Sequence, residues 1–210
     1  MMTEVPVRAV SAKRGIPLLE DEPRDLAEMF LMAAEKYRLP NALNYKSGDV
    51  WHAISSDEMV RRAENIALGL HSLGLNKGER VAILAGNCPE WTLTDAGCQF
   101  AGLVDVPIYT TASPRSVQYI LDDSAARVLF LQDKAAYDRI STAIGGCDEV
   151  EKFVFFDAVG VELECSMSIA ELEAAGATLR TAEPELALRL RSEIDPEDVA
   201  TLIYTSGTTG

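Results

Sequence analysis

The sequence predicts an α/β fold: a mostly parallel sheet with flanking helices. Three observations carry that prediction. Short apolar runs of strand length recur at residues 81–84, 103–106, 128–131 and 153–156. Each run is close to continuously apolar rather than alternating, as strands buried on both faces must be. Stretches with helical spacing and helix caps separate them, and parallel strands need crossovers of that kind.

Taken in order, residues 1–22 read as an irregular amino-terminal arm, and residues 23–210 as the folded unit. Leu26, Met29, Phe30, Ala33 and Tyr37 fall at helical spacing, so a first helix is expected to reach about Arg38, ahead of Pro40. Residues 43–54 read as a hairpin turning at Ser47-Gly48-Asp49, with Tyr45 and Trp51 on its arms. Ser55 and Glu58 form a capping-box pattern ahead of a helix carrying Met59, Ala63, Ile66, Leu70 and Leu73, with Gly74 as its cap.

The alternation then begins. Strand 81–84 is followed by a helix opening at residues 87–90 and running toward Phe100. Strand 103–106 ends at Pro107, and Ser113-Pro114 starts a helix bearing Val117, Ile120 and Leu121. Strand 128–131 precedes a helix capped by Asp133, and strand 153–156 follows. Residues 157–198 are looser. Ser168 and Glu171 cap a short helix expected to end at Gly176, residues 184–191 allow another, and residues 193–198 form an acidic, solvated connector. A last apolar, β-branched strand is expected at residues 199–204.

Composition narrows the function. With 33 acidic and 19 basic side chains the formal net charge is -14, a field that repels a polyanion and argues against nucleic acid as partner. It does not exclude ATP, whose charge Mg²⁺ and a few local cations mask. Cys88, Cys98, Cys147 and Cys165 lie far apart without any Cys-x-x-Cys pair, which reads as four reduced, mostly buried thiols of a cytosolic protein. His52 and His71 stand alone and receive no role. Signal-peptide and membrane-span patterns are missing, so a cytoplasmic location is expected, with peripheral membrane contact left open.

The chemistry concentrates at the end of the chain. The last strand feeds Thr205-Ser206-Gly207-Thr208-Thr209-Gly210, a run of hydroxyls and glycines whose backbone amides can approach an anion closely. It is not the Gly-x-x-x-x-Gly-Lys-Ser/Thr loop, since it has no lysine. Composition by itself also permits a strand followed by a flexible Gly/Ser/Thr linker.

The ten-residue string from Thr201 to Gly210 resembles the phosphate-binding signature of the adenylate-forming superfamily, which includes acyl-CoA synthetases, luciferases and peptide-synthetase adenylation domains. Residues 73–84, followed by Asn87-Cys88-Pro89-Glu90-Trp91, and residues 101–111 are similar to the amino-terminal half of an acyl-CoA synthetase. The form Val106-Pro107-Ile108-Tyr109-x-Thr111 is similar to the long-chain fatty-acid branch. The likeness spans about residues 23–210 and implies the amino-terminal portion of the large adenylate-forming domain.

That resemblance implies a two-step ligase. ATP and a fatty acid give an acyl-adenylate and pyrophosphate, and coenzyme A then displaces AMP. It assigns the β,γ-phosphates to Thr205, Ser206, Gly207, Thr208, Thr209 and Gly210, and Mg²⁺ to Thr205. The family's loop continues into Pro-Lys-Gly, and its catalytic lysine, hinge and adenine contacts lie beyond Gly210. The chain is therefore expected to be a piece of a longer enzyme, inactive by itself. Trp91 and Tyr109 read as core aromatics. An aryl- or amino-acid-activating enzyme of the same superfamily, or a non-catalytic α/β module, are the alternatives.

Overall fold

In the computed structural model of the protein, the residues described are 7–8, 18–19 and 22–205. The arm expected at residues 1–22 lies almost wholly outside them, save that β1 (Val7–Arg8) pairs antiparallel with β2 (Leu18–Leu19).

The first helix, α1 (Leu26–Tyr37), starts where Asp25 accepts a hydrogen bond from the Glu28 amide. The hairpin forms as β3 (Leu43–Ser47) and β4 (Val50–Ile54), and Gly48 supplies the positive φ, +59°, that its two-residue turn requires. Helix α2 (Ser56–Ser72) is capped by the Ser55 hydroxyl, which accepts from the Glu58 amide. The Glu58 carboxylate turns instead to Arg61, 2.7 Å away.

The alternating half forms β5 (Arg80–Leu84), α3 (Pro89–Phe100), β6 (Val104–Pro107), α4 (Pro114–Ser124), β7 (Val128–Leu131), α5 (Lys134–Ile144) and β8 (Lys152–Phe155). A short β9 (Ser166–Ser168), α6 (Ile169–Ala182) and α7 (Leu186–Ser192) follow. The five strands pair entirely in parallel, in the order β6-β5-β7-β8-β9.

The chain thus steps outward from β5 to β6 and returns to the other side of β5 at β7. Side chains divide accordingly. Val81 and Ile83 of β5 with Val128 and Phe130 of β7 pack toward Ile66, Leu70, Leu93, Phe100 and Leu172. Ala82, Leu84, Leu129 and Leu131 pack on the opposite face with Val117, Leu121, Ile140 and Ile144. Helices α2, α3 and α6 cover one face, and α4 and α5 the other.

Three expectations need correction. Helix α6 does not end at Gly176 but runs on to Ala182. Gly176 is there because a Cβ at that position would stand 1.8 Å from the Asn65 carbonyl oxygen of α2, so the glycine permits a close helix crossing rather than a cap. Strand β9 was not expected, because Ser166-Met167-Ser168 has neither an apolar run nor β-branched residues. Residues 199–204 do not form a ladder; they meet the sheet in a single parallel bridge, Asp105 to Thr201.

The α2–α6 crossing is closed by Gly69 against Leu172 and by a paired Arg62 and Glu173, 2.7 Å apart and half-buried. Gly176→Ala is expected to lower stability by about 3 kcal/mol or more, as overpacking against backbone does. Gly145→Ala, where the nearest atom to a new Cβ is 3.6 Å away, serves as the neutral control. Urea unfolding of the two variants checks this.

Candidate functional site

In an open parallel sheet, ligands collect outside the carboxyl ends of the strands. Segment 199–205 runs parallel to β6 at the sheet's edge, so it heads toward that same end. Thr205 is exposed there, at the last described position. Ser206, Gly207, Thr208, Thr209 and Gly210 lie outside the described residues, and their expected role as phosphate ligands is carried by the sequence.

The structure does show how the loop's approach is held. The Asp105 amide donates to the Ala200 carbonyl at 3.2 Å, and the Leu202 amide donates to the Asp105 carbonyl at 3.0 Å. The Asp105 side chain faces the α3 side. Its Oδ2 accepts from Thr201 Oγ1 at 3.3 Å and its Oδ1 from Gln99 Nε2 at 3.1 Å. Gln99 also donates to the Ala200 carbonyl at 3.3 Å.

On the other face Leu202 and Tyr204 pack on the second core cluster. The Tyr204 hydroxyl donates to Asp123 Oδ2 at 2.6 Å, and its ring meets Tyr119 edge-on with centroids 6.3 Å apart. Burial and the Asp123 carboxylate push the Tyr204 phenol above its ordinary range.

Asp105 is 3% exposed, and burial, with the Asp95 carboxylate acting in the same direction, raises its pKa to about 6. Burial likewise raises Asp95. Sequence reasoning passed over Asp105, Gln99 and Asp123. The available signal was an aspartate inside an otherwise apolar strand, which must find hydrogen-bond donors when both faces are covered.

The acidic connector is tied down rather than fully solvated: Lys77 pairs with Asp198 at 2.7 Å and donates to the Glu193 carbonyl at 2.6 Å. Among the described residues no group of three or more His, Cys, Asp or Glu side chains forms a metal cluster. A cavity of about 270 Å³ lies near the amino end of β6, among Asp25, Leu26, Met29, Leu103 and Val199, away from Thr205.

Of the two aromatics expected in the core, Trp91 packs half-buried against the first cluster. Tyr109 does not, being 74% exposed, because β6 ends at Pro107 and leaves it on the loop beyond. Cys98 and Cys147 are buried, Cys88 is half-buried and Cys165 exposed. Burial raises the Cys88 thiol to about 11 and Cys147 to about 12, so neither is a thiolate at neutral pH.

With this geometry in place, the comparisons decide the family. The family model for AMP-binding enzymes matches residues 32–210. The chain belongs to that family. This AMP-binding chain is 32% identical over 196 residues to the long-chain-fatty-acid–CoA ligase ACSBG1 of Mus musculus, covering 92% of the chain and 27% of that protein. It is 34% identical over 161 residues to the long-chain-fatty-acid–CoA ligase FadD15 of Mycobacterium bovis, covering 77% and 26%. It spans about a quarter of the length of these curated relatives.

Among solved structures, the anthranilate CoA ligase AuaEII in complex with anthranoyl-AMP matches with a TM-score of 0.67 at 23% identity, over 90% of this chain and 34% of that one. Coronafacic acid ligase from Pectobacterium brasiliense matches at 0.66 and 21%, over 86% and 33%. These likenesses establish the fold, that of adenylate-forming enzymes. No helix among the described residues is long and apolar enough to cross a membrane.

The raised pKa of Asp105 fixes the sign of one pH effect. Because the folded state holds this proton more tightly than the unfolded one, stability falls as pH rises from about 4 through about 6 and then levels off. Asp105→Asn removes that loss and keeps both hydrogen bonds. It is expected to be more stable than the parent at pH 7, by at most about 3 kcal/mol, with the difference fading toward pH 4. Denaturant unfolding at the two pH values measures it.

Proposed function

We propose that this chain works as part of an ATP-dependent long-chain fatty-acid–CoA ligase. It would supply the segment and loop that hold the ATP phosphates while a fatty acid is activated as its acyl-adenylate, ahead of transfer to coenzyme A. The observation that carries the reading is the sequence run from Thr201 to Gly210, whose first residue is bridged in parallel to β6 at the sheet edge, so that the described segment heads toward the carboxyl ends of the strands. The ligase relatives, and the long-chain form of residues 106–111, favour a fatty acid over other carboxylates.

The chain's own contribution is electrostatic. Backbone amides and hydroxyls of residues 205–210 would bind the β,γ-phosphate oxygens and draw charge away from the α-phosphorus as the carboxylate attacks. Glycines at 207 and 210 leave the space a phosphate oxygen needs.

Thr205 fits a role beside Mg²⁺. It is an exposed hydroxyl at the ligand end of the sheet, and this ion usually takes few protein oxygens, completing its shell with phosphates and water. When bound, the ion neutralises triphosphate charge. The fatty acid, ATP and coenzyme A are substrates, and location in the cytoplasm with peripheral membrane contact suits an enzyme acting on such acids.

The test is pyrophosphate exchange into ATP by the protein from the complete reading frame. Dependence on a palmitate-length acid is expected. Exchange with benzoates or amino acids instead would move the protein to another branch of the family. In that protein Gly207→Val is expected to cut the exchange rate by about 10²–10³, the cost of losing a charge-stabilising donor. Near-normal exchange would show that the loop does not hold phosphate.

A further inference from the structure

We infer that Asp105 is a positioning residue for the phosphate loop, acting through segment 200–204. The inference rests on the phosphate-binding reading of residues 205–210. A loop can pre-organise donors toward an anion only if the strand feeding it is fixed. Here that segment has one bridge to the sheet among the described residues, and both backbone–backbone hydrogen bonds of the bridge are made by Asp105.

The side chain of the same residue adds a second set of ties. One carboxylate oxygen accepts from the Thr201 hydroxyl, and the other accepts from Gln99, whose amide also reaches the Ala200 carbonyl. Helix α3 is thereby linked through Asp105 to the two residues where the segment joins the sheet. Three residues beyond Thr201, Tyr204 is clipped to Asp123 of α4.

The placement is costly for a purely structural residue. Asp105 is buried, and the charged neighbour acting on it is another carboxylate, Asp95, on the preceding turn of α3 from Gln99. The other titratable group facing it from α3 is the buried Cys98, whereas its partners on β5 and on the segment, Val81 and Thr201, carry no charge. An apolar residue would satisfy the β6 position in packing terms, since burying a carboxylate without a cation is unfavourable. What it would not provide is the pair of acceptors that Thr201 and Gln99 use. Asparagine would: its oxygen can accept from Gln99, and its amide can donate to the Thr201 hydroxyl.

Amide hydrogen exchange and ATP kinetics test this together. Thr201→Val, at an exposed position, removes only the hydroxyl, and Asp105→Ala removes both acceptors. Each is expected to speed exchange at the Leu202 amide by about tenfold or more while β5 stays protected, which separates loosening of the segment from unfolding. In the complete protein both variants are expected to raise the KM for ATP by about tenfold with a smaller change in kcat. Asp105→Asn is expected to restore both readings. Unchanged Leu202 exchange in the two disruptive variants would overturn the positioning role. So would a loosened Leu202 with an unmoved KM. If the unmodified protein shows no ATP-dependent exchange of pyrophosphate, the functional reading fails, and faster Leu202 exchange in the variants still supports Asp105 as the anchor of the segment.

Discussion

Backbone pairing in a parallel sheet imposes the constraint on which this molecule is built. Each strand must return to the same end before it can pair again, so every pairing brings a crossover with it. The crossovers put helices on both faces, and strands covered on both sides lose the alternation of polar and apolar residues. That is why β5 and β7 are apolar at every position from Val81 to Leu84 and from Val128 to Leu131. The same constraint gathers all strand carboxyl ends on one side, where the segment ending at Thr205 also opens. Where a phosphate site carried by residues 205–210 would lie is thus set by pairing geometry before any side chain is considered.

The covering layer obeys a second requirement, close approach. Helix α2 lies between α3 and α6 and touches each through glycine. Gly97 admits Ile66, Gly69 admits Leu172, and Gly176 admits the Asn65 backbone. At these contacts a backbone meets a side chain, Ile66 or Leu172, or a second backbone, at Asn65. Glycine costs helix propensity at each site. The crossing gains shape complementarity in return, and the paired Arg62 and Glu173 reinforce it at the edge.

The edge at residues 199–205 is built differently. Among the described residues a single backbone bridge joins it to the sheet, and side chains add to the anchoring. Gln99, Asp105 and Thr201 act on the α3 face, and Asp123 and Tyr204 on the α4 face. Fixing a loop-bearing segment with side-chain hydrogen bonds makes its position sensitive to single polar groups, whereas the interior strands depend on collective apolar burial. Oriented donors at residues 205–210 would then be offered to an anion from a segment tied at Thr201 and again at Tyr204.

The sequence by itself determined the order of elements from α1 to β8, the parallel class of the sheet and the caps at Ser55, Asp133 and Ser168, because these follow from periodicity and local hydrogen bonding within a few residues. It also carried the phosphate-loop reading, whose residues are contiguous from Thr201 to Gly210. Only the tertiary structure decided the role of Gly176, since a glycine inside a helix and one ending it look alike until another helix approaches. It also decided the pairing of β9, whose residues Ser166, Met167 and Ser168 gain strand geometry from Lys152–Phe155 beside them. The same holds for Asp105. Its partners lie 6 and 96 residues away in the chain, and such a meeting is set by how the layers stack, not by any local pattern.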